Sequence, residues 1–348
     1  MAEPMVSVVM PVFNAERYLR DAVDSVLSQD FQDFEFIVLD DGSSDTSCDI
    51  LKGYEDPRLR VVHSTQNMGI PSVLNRGFSL ARGRYIARMD ADDVCRPSRF
   101  SQQVAFLESH QQIGVLGTRV AYLGIWKGVR DERLMDAASC SAYLLFGVPV
   151  VHPSVMIRRS VLREHQLAYD VNFNTAQDFE LWSRMSRVTG IANLPDVLLE
   201  YRMHEQNITS RATHANADRV QSVVLQQLAM LALDTNDETL RLHASITRAE
   251  RLASLDELEQ ARVWLQRIRE ANGRTPCWDP CGLDQALAFV WARLMANCGN
   301  LGLRALVVNR RAEFRAAWRP CLSRRCRSLA SMLVHSATAP FRGGESSA

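Results

Sequence analysis

Arg84-Tyr85-Ile86-Ala87-Arg88-Met89-Asp90-Ala91-Asp92-Asp93 is a short, mostly apolar run that ends in three carboxylates within four residues. The apolar part reads as a strand. Carboxylates packed this closely repel one another unless a cation or a set of donors sits between them. A hard divalent ion that takes oxygen ligands and keeps a substrate diphosphate as co-ligand resolves that repulsion. The plain alternative is a turn, because Asp side chains bond the local backbone where strands end. The surrounding sequence weighs between the two.

Upstream, Met5-Val6-Ser7-Val8-Val9-Met10-Pro11-Val12 is β-branched and apolar, which suits a strand buried on both faces of a parallel sheet. A helical pattern follows through Tyr18, Leu19, Ala22, Val23, Val26 and Leu27, with Asn14 as its N-cap and Glu16-Arg17 in its first turn. Phe34 to Leu39 predicts a second strand, ending at Asp40-Asp41-Gly42-Ser43-Ser44-Asp45. A helix from Thr46 to Tyr54, a strand from Leu59 to His63, the loop Gln66-Asn67-Met68-Gly69 and a helix from Ile70 to Ala81 come next. The opening run is then the fourth strand. This order predicts an α/β fold with a doubly wound, mostly parallel sheet and right-handed crossovers. Ligand sites in such sheets lie at the carboxyl ends of the strands. Pro11 to Asn14, Asp40-Asp41 and Asp90 to Asp93 all fall there.

Downstream, Pro97 to Ser109 reads as a helix and Ile113 to Leu123 as a strand. Val148 to Ile157 is strand-like but interrupted by His152-Pro153. Thr175 to Arg187 predicts a helix with Asp178 near its N-terminus, where the helix dipole favours an ionised carboxylate able to accept a proton. From about Thr209 strand patterns stop. Helices are predicted over Val220–Leu233, from the capping-box pattern Ser254-Leu255-Asp256-Glu257 to about Ala271, and over Leu283–Asn297. Leu301 to Leu333 reads as one or two arginine-rich helices broken at Pro320. Residues 337–348 are small and polar and read as a disordered tail. The expected division is thus 1–210, 211–336 and 337–348.

At 348 residues, 47% apolar and 23% charged, the chain has the composition of a soluble globular protein with a sizeable core. Its formal net charge is zero, so nothing global points to nucleic acid. Met1-Ala2-Glu3-Pro4 lacks the basic start of a signal peptide, and no apolar run reaches eighteen residues. The eight cysteines then read as reduced thiols in a cytoplasm. Cys277 and Cys281 are closely spaced but have no second pair, so they are not read as a zinc site.

The motifs fall in a familiar series. Val8-Val9-Met10-Pro11-Val12-Phe13-Asn14, Leu39 to Asp45, Asn67-Met68-Gly69 with Leu74-Asn75-Arg76-Gly77, and Met89 to Asp93 occur in order. His152 to Arg159, Gln177-Asp178-Phe179-Glu180-Leu181-Trp182 and Tyr201-Arg202-Met203-His204 follow. From residue 5 to about 210 the chain resembles a family 2 glycosyltransferase of the GT-A fold, with an all-α region after it that resembles nothing further.

The resemblance implies roles residue by residue. Pro11 and Phe13 match positions beside the nucleotide base, and Asp40 and Asp41 positions that bond base and ribose. Asn67, Arg76 and Ala91 complete the expected donor contacts. Asp90 and Asp92 match the family's Asp-x-Asp, with Asp92 the direct ligand of Mg²⁺ or Mn²⁺. His204 matches a late histidine that reaches the metal or diphosphate. Asp178 matches the second acid of a Glu-Asp pair, the general base; Gln177 stands where the first acid is usual. His152 is expected to bond locally, and Arg158-Arg159 to be a solvated pair.

The expected reaction is transfer of a sugar, with inversion, from a nucleoside diphosphate donor, uridine being the expected base. The expected acceptor is a hydroxyl on a saccharide or lipid-linked molecule. Two rivals stand beside it. A sugar nucleotidyltransferase would carry Gly-x-Gly-x-Arg after the first strand, where this chain has Pro11-Val12-Phe13-Asn14-Ala15. A non-catalytic nucleotide-sugar-binding or assembly protein would not need an intact Asp-x-Asp with Asp178. Between Arg304 and Arg327 stand eight arginines and one acid, Glu313, interleaved with apolar residues. A basic amphipathic helix of this kind suits peripheral contact with an anionic membrane, here on the cytoplasmic face.

Overall fold

The computed structural model describes residues 3–125, 128–130, 134–204 and 214–313. Strands β1 (Val6–Val12), β2 (Phe34–Asp40), β3 (Leu59–His63) and β4 (Tyr85–Arg88) stand side by side in the order β3-β2-β1-β4, all parallel. Helices α1 (Leu19–Leu27), α2 (Ser47–Lys52) and α3 (Ile70–Leu80) make the crossovers. β2 is buried along its whole length and β1 nearly so, which is why both read as mostly apolar runs. Gly77 lets α3 lie close on the sheet: a Cβ there would fall 2.4 Å from Val9 Cγ1.

One local expectation fails at the first crossover. α1 begins at Leu19, with Tyr18 rather than Asn14 as its cap, and Glu16-Arg17 lie in the preceding turn. Asn14 adopts a left-handed backbone (φ 48°) and its Oδ1 accepts the Ser44 N–H at 2.8 Å. Its side chain joins two loops instead of starting a helix, a competing use open to Asn.

Beyond β4 the sheet becomes mixed. Next in the chain are β5 (Val94–Cys95), α4 (Arg99–Ser109), β6 (Ile113–Gly124), β7 (Gly128–Arg130), α5 (Ala137–Tyr143), a 3₁₀ turn at His152–Ser154 and β8 (Met156–Arg158). α6 (Arg159–Glu164), α7 (Gln177–Met185) and β9 (Gly190–Met203) complete this half. β8 lies antiparallel between β4 and β6, β9 runs parallel to β6, and β5 pairs antiparallel with β9. The β5–β9 pairing matters for the site, because Val94 opposes Glu200 and so draws Tyr201 to His204 back onto Asp90 to Asp93.

Arg158 is not solvated. It is buried, donating to the carbonyls of Ile113 and Leu107 and to the Tyr85 hydroxyl. Arg159 donates to Ala81 O at 3.0 Å. Their carbonyl partners lie at the C-terminal ends of α3 and α4 and at the start of β6.

The helical part comprises α8 (His214–Met230), α9 (Asp237–Arg248), α10 (Leu255–Arg274), α11 (Pro280–Asn297), a 3₁₀ stretch (Gly299–Arg304) and α12 (Ala305–Arg311). Ser254 caps α10 by accepting Glu257 N–H at 3.1 Å, while Glu257 reaches back to Ala253 N–H. α11 packs on α5, and a Cβ on Gly282 would stand 2.5 Å from the Ala138 carbonyl carbon. Trp264, Leu287 and Trp291 belong to the same buried cluster as Val9, Ile37 and Trp182. Burying each such large apolar side chain is worth about 1.5–3 kcal/mol. Among the described residues no helix is long and apolar enough to cross a membrane. The arginines after Glu313 and the tail 337–348 lie outside the described residues.

Candidate active site

Three loops at the carboxyl ends of β1, β2 and β3 are tied into one face. Asn14 N–H donates to Ser43 Oγ, Ala15 N–H to Ser47 Oγ, and Glu16 N–H to Asp45 Oδ2, each at 2.9–3.0 Å. Thr46 N–H answers by donating to Glu16 Oε2. The third loop hangs from Asp41, whose two carboxylate oxygens accept Met68 N–H at 2.9 Å and Gly69 N–H at 3.0 Å. Gly42 must be glycine on two counts. Its φ is +75°, and a Cβ would come within 3.0 Å of the Gln66 carbonyl carbon.

The residues expected to meet the donor nucleoside lie on or behind this face. Phe13 is 50% exposed, so its ring is open to solvent on this face. Pro11 is half-buried, opposite Leu39 in the β1–β2 ladder. Asn67 is exposed and accepts Gly69 N–H. Asp40 is buried and accepts from Ser43 N–H and Cys48 Sγ, with His63 Nδ1 3.3 Å away. These donors hold its carboxyl below the usual range against the opposing pull of burial, the largest single influence. Asp40 and Asp41 thus also shape the loops, a duty the sequence did not reveal. Arg76 donates to Ser64 Oγ at 3.0 Å, and its neighbour Asn75 pins the Tyr169 backbone through two hydrogen bonds.

The second group gathers at the end of β4. Asp90, Asp92 and Asp93 each place a carboxylate oxygen within 4.8 Å of the others. Asp92 Oδ2 lies 2.9 Å from His204 Nε2, so the late histidine and the Asp-x-Asp do come together. Asp93 Oδ1 accepts Arg202 N–H at 2.8 Å, and Arg202 also donates to Asp92 O and to Asp21. Tyr18 packs beside both: the Arg202 guanidinium sits 4.5 Å over its ring and His204 is 5.1 Å away. Ala91 is buried beneath the turn.

Arg88 organises these acids, and sequence reading missed it. It is almost fully buried and ion-paired with Asp90. Its positive charge also reaches Asp93, Asp178, His152 and Tyr169. The one clue was a charged residue inside an apolar strand just before three aspartates. Burial pushes the Asp90 carboxyl up, Arg88 pulls it back, and the charges of Asp92 and Asp178 push it up again. Burial raises Asp93 far more, with Asp90 and Asp92 adding to it.

Asp178 sits in the first turn of α7, as expected, and accepts its neighbour Phe179 N–H. Burial raises its carboxyl above the ordinary value, and the Phe179 N–H and Arg88 only partly offset that. His152 is buried, within 2.8 Å of the Tyr169 hydroxyl and edge-on to Trp182, a local role as expected.

The Asp90–Asp92–Asp93 group fits a hard divalent cation. Its donors are all oxygen, and Asp93 Oδ2 is buried without a hydrogen-bond partner among the described residues. An unpaired buried carboxylate oxygen is costly unless a cation or proton meets it.

A family model described as glycosyl transferase family 2 matches residues 7–166. An uncharacterized glycosyltransferase of Haemophilus influenzae is 30% identical over 237 residues, covering 63% of this chain and 72% of its own. TuaG of Bacillus subtilis, provisionally named a teichuronic acid biosynthesis glycosyltransferase, is 31% identical over 214 residues, covering 60% of this chain and 82% of its own. Among solved structures, S. aureus TarS 1–349 in complex with UDP-GlcNAc aligns with a TM-score of 0.55 at 18% identity, over 84% of this chain and 88% of that one. That likeness is one of fold.

Proposed function

This chain belongs to glycosyl transferase family 2, and from that premise we propose that it transfers a sugar from a nucleoside diphosphate donor to a hydroxyl of a saccharide or lipid-linked acceptor. The observation that carries the reading is the meeting of Asp90, Asp92 and Asp93 with Asp178 around one buried arginine, Arg88. Phe13 offers an apolar face to a base, and the loops after β1, β2 and β3 offer a surface for the nucleoside. Uridine is the base to try first, since the fold neighbour TarS was solved with UDP-GlcNAc. The teichuronic acid name of TuaG motivates a surface-polysaccharide acceptor.

In this reading Asp178 takes the proton of the acceptor hydroxyl as that oxygen attacks the anomeric carbon. The bond from that carbon to the diphosphate oxygen breaks, its electron pair leaves with the diphosphate, and a single displacement inverts the carbon. Asp92, with Asp90 and Asp93, would hold Mg²⁺ or Mn²⁺, which when bound neutralises the diphosphate as a Lewis acid. Arg88 offsets part of the burial that raises the Asp90 carboxyl. Arg202 in β9 and His204 just after it hold Asp93 and Asp92 in place. The arginine-rich end from Arg304 to Arg327 is the proposed contact with an anionic membrane on the cytoplasmic side.

The test is a thermal-shift titration with a panel of nucleoside diphosphate sugars, with and without Mn²⁺, followed by NMR of the product's anomeric configuration. A metal-dependent shift with a uridine donor and an inverted product support the reading. A folded protein that binds donor but never turns over would instead be a non-catalytic binding protein. Retention of configuration would remove the single displacement.

A further inference from the structure

Asp40, Cys48 and His63 come from three different elements and close on one another: Asp40 ends β2, Cys48 lies in the first turn of α2, and His63 ends β3. Asp40 Oδ1 is taken by the Ser43 N–H at 3.2 Å, which leaves Oδ2 turned toward the other two. Cys48 Sγ is 3.2 Å from that oxygen and 3.9 Å from His63 Nδ1, and Nδ1 is 3.3 Å from Oδ2. No donor–nucleotide reading requires a thiol and an imidazole here.

Tetrahedral bonds of about 2.3 Å to sulfur and about 2.0–2.2 Å to nitrogen and oxygen separate ligand atoms by about 3.3–3.6 Å. The three measured separations bracket that range. We propose that Asp40 Oδ2, Cys48 Sγ and His63 Nδ1 form a site for a borderline-soft divalent cation of the Zn²⁺ class, distinct from the all-oxygen group at Asp90, Asp92 and Asp93.

The donor set makes the selection. One sulfur, one imidazole nitrogen and one oxygen favour zinc or cobalt over magnesium, calcium or manganese, which prefer all-oxygen sites. The Ser43 N–H fixes the Asp40 carboxylate from behind, as outer partners of metal ligands do. The His63 side chain is half exposed, which gives an ion a way in and leaves a fourth position for water. On binding, the Cys48 thiol proton, now directed at Asp40 Oδ2, leaves to solvent, and no electron is transferred. Where the proposed placement of the nucleoside against Asp40 holds, the ion and the donor compete for one carboxylate, and zinc becomes an inhibitor of donor binding.

Cobalt(II) is the probe, because a thiolate ligand gives it an intense near-ultraviolet band and tetrahedral geometry a visible one. Titrating the full chain with Co²⁺ should produce both bands at one equivalent, and Zn²⁺ should abolish them. Cys48→Ala should remove the near-ultraviolet band, His63→Gln should weaken binding at least about tenfold, the usual scale for losing metal-site partners, and Cys281→Ala should change neither. Circular dichroism of each variant checks its fold. Absence of both bands, or bands that survive Cys48→Ala, overturns the site. Excess uridine, which has no diphosphate to chelate cobalt, reports separately on the nucleoside: bands displaced by uridine support the overlap at Asp40. Bands that uridine leaves intact keep the ion site and refute the placement of the base there.

Discussion

The His243 imidazole accepts the Trp264 indole N–H on Nδ1, at 3.0 Å. Its other nitrogen lies 2.8 Å from Leu145 O, a carbonyl that can only accept. The ring is therefore neutral with its proton on Nε2, carried on α9 and held between α10 and the turn that follows α5. Protonating Nδ1 would set one N–H against another. Burial accordingly pushes this histidine from its ordinary 6.5 down to about 4, with the Leu145 carbonyl partly opposing. Above pH 6.5 the folded and unfolded chains are both neutral here and the full stability is present. As pH falls toward 4, the unfolded chain gains a proton that the folded chain refuses, and about 3 kcal/mol is lost. A melting-temperature profile between pH 7 and pH 4 should slope downward in the wild type and clearly less in His243→Gln. Parallel profiles would show that the ring is not neutral as described.

Asp178→Asn should leave donor affinity unchanged while lowering the rate by at least about a hundredfold, the usual range for a lost general base. The rate of the wild type should fall as acid protonates Asp178. Because burial raises this carboxyl, that acid limb should lie above the ordinary carboxylate range. Turnover in the Asn variant at near wild-type rate would end the assignment.

Arg88→Met removes the positive charge that Asp90, Asp93 and Asp178 share. Leaving buried acids without their partner should lower stability by about 3–5 kcal/mol. In whatever folded protein remains, the acid limb of the rate should move to higher pH. Saturating Mn²⁺ should restore part of the stability, since it replaces positive charge beside Asp90. A variant as stable as the wild type would mean that the acids are already protonated.

Asp41→Ala deletes the acceptor of both the Met68 and Gly69 amides. Hydrogen bonds to a charged group contribute about 1.5–3 kcal/mol each. Hydrogen exchange at those two amides should quicken by orders of magnitude, while amides in β1 and β2 keep their protection. Donor affinity should fall as the loop loosens. Unchanged exchange at Met68 would show that the loop does not depend on Asp41.

Much of this was legible in the sequence, for identifiable reasons. The first strands and their helices announce themselves because β1, β2 and β4 are buried on both faces, while the edge strand β3 is marked by its short β-branched run Leu59 to His63. The acids at Asp90 to Asp93 and their partner His204 were read from motif order. β9 went unread because Pro195 and Asp196 break its alternation, and its register against β6 shifts more than once. α5 is built of small residues, Ala-Ala-Ser-Cys-Ser-Ala-Tyr, which carry no periodic stripe. α9 shows mostly polar residues and is announced chiefly by its Asn236 cap. Arg88 and Arg158 were hidden because a sequence reading assigns arginine to water, whereas here carbonyls and carboxylates receive it. Asp178 stands in the first turn of α7 as expected, and the burial that raises its carboxyl is not displayed by the local sequence.

The close seat of Gly282 on Ala138 bears on how such a protein can be cut or recombined. The family match ends at residue 166, yet α7 and β9 lie beyond it, and α11 covers α5 from still further on. A clone stopped at the motif boundary would lose α7, β9 and α11, expose the α5 face and the side of β6 that pairs with β9, and should express as insoluble material. Chimeras between relatives therefore need α5 and α11 from the same parent, and a single junction in the turn between α8 and α9, which separates the two, should fold poorly.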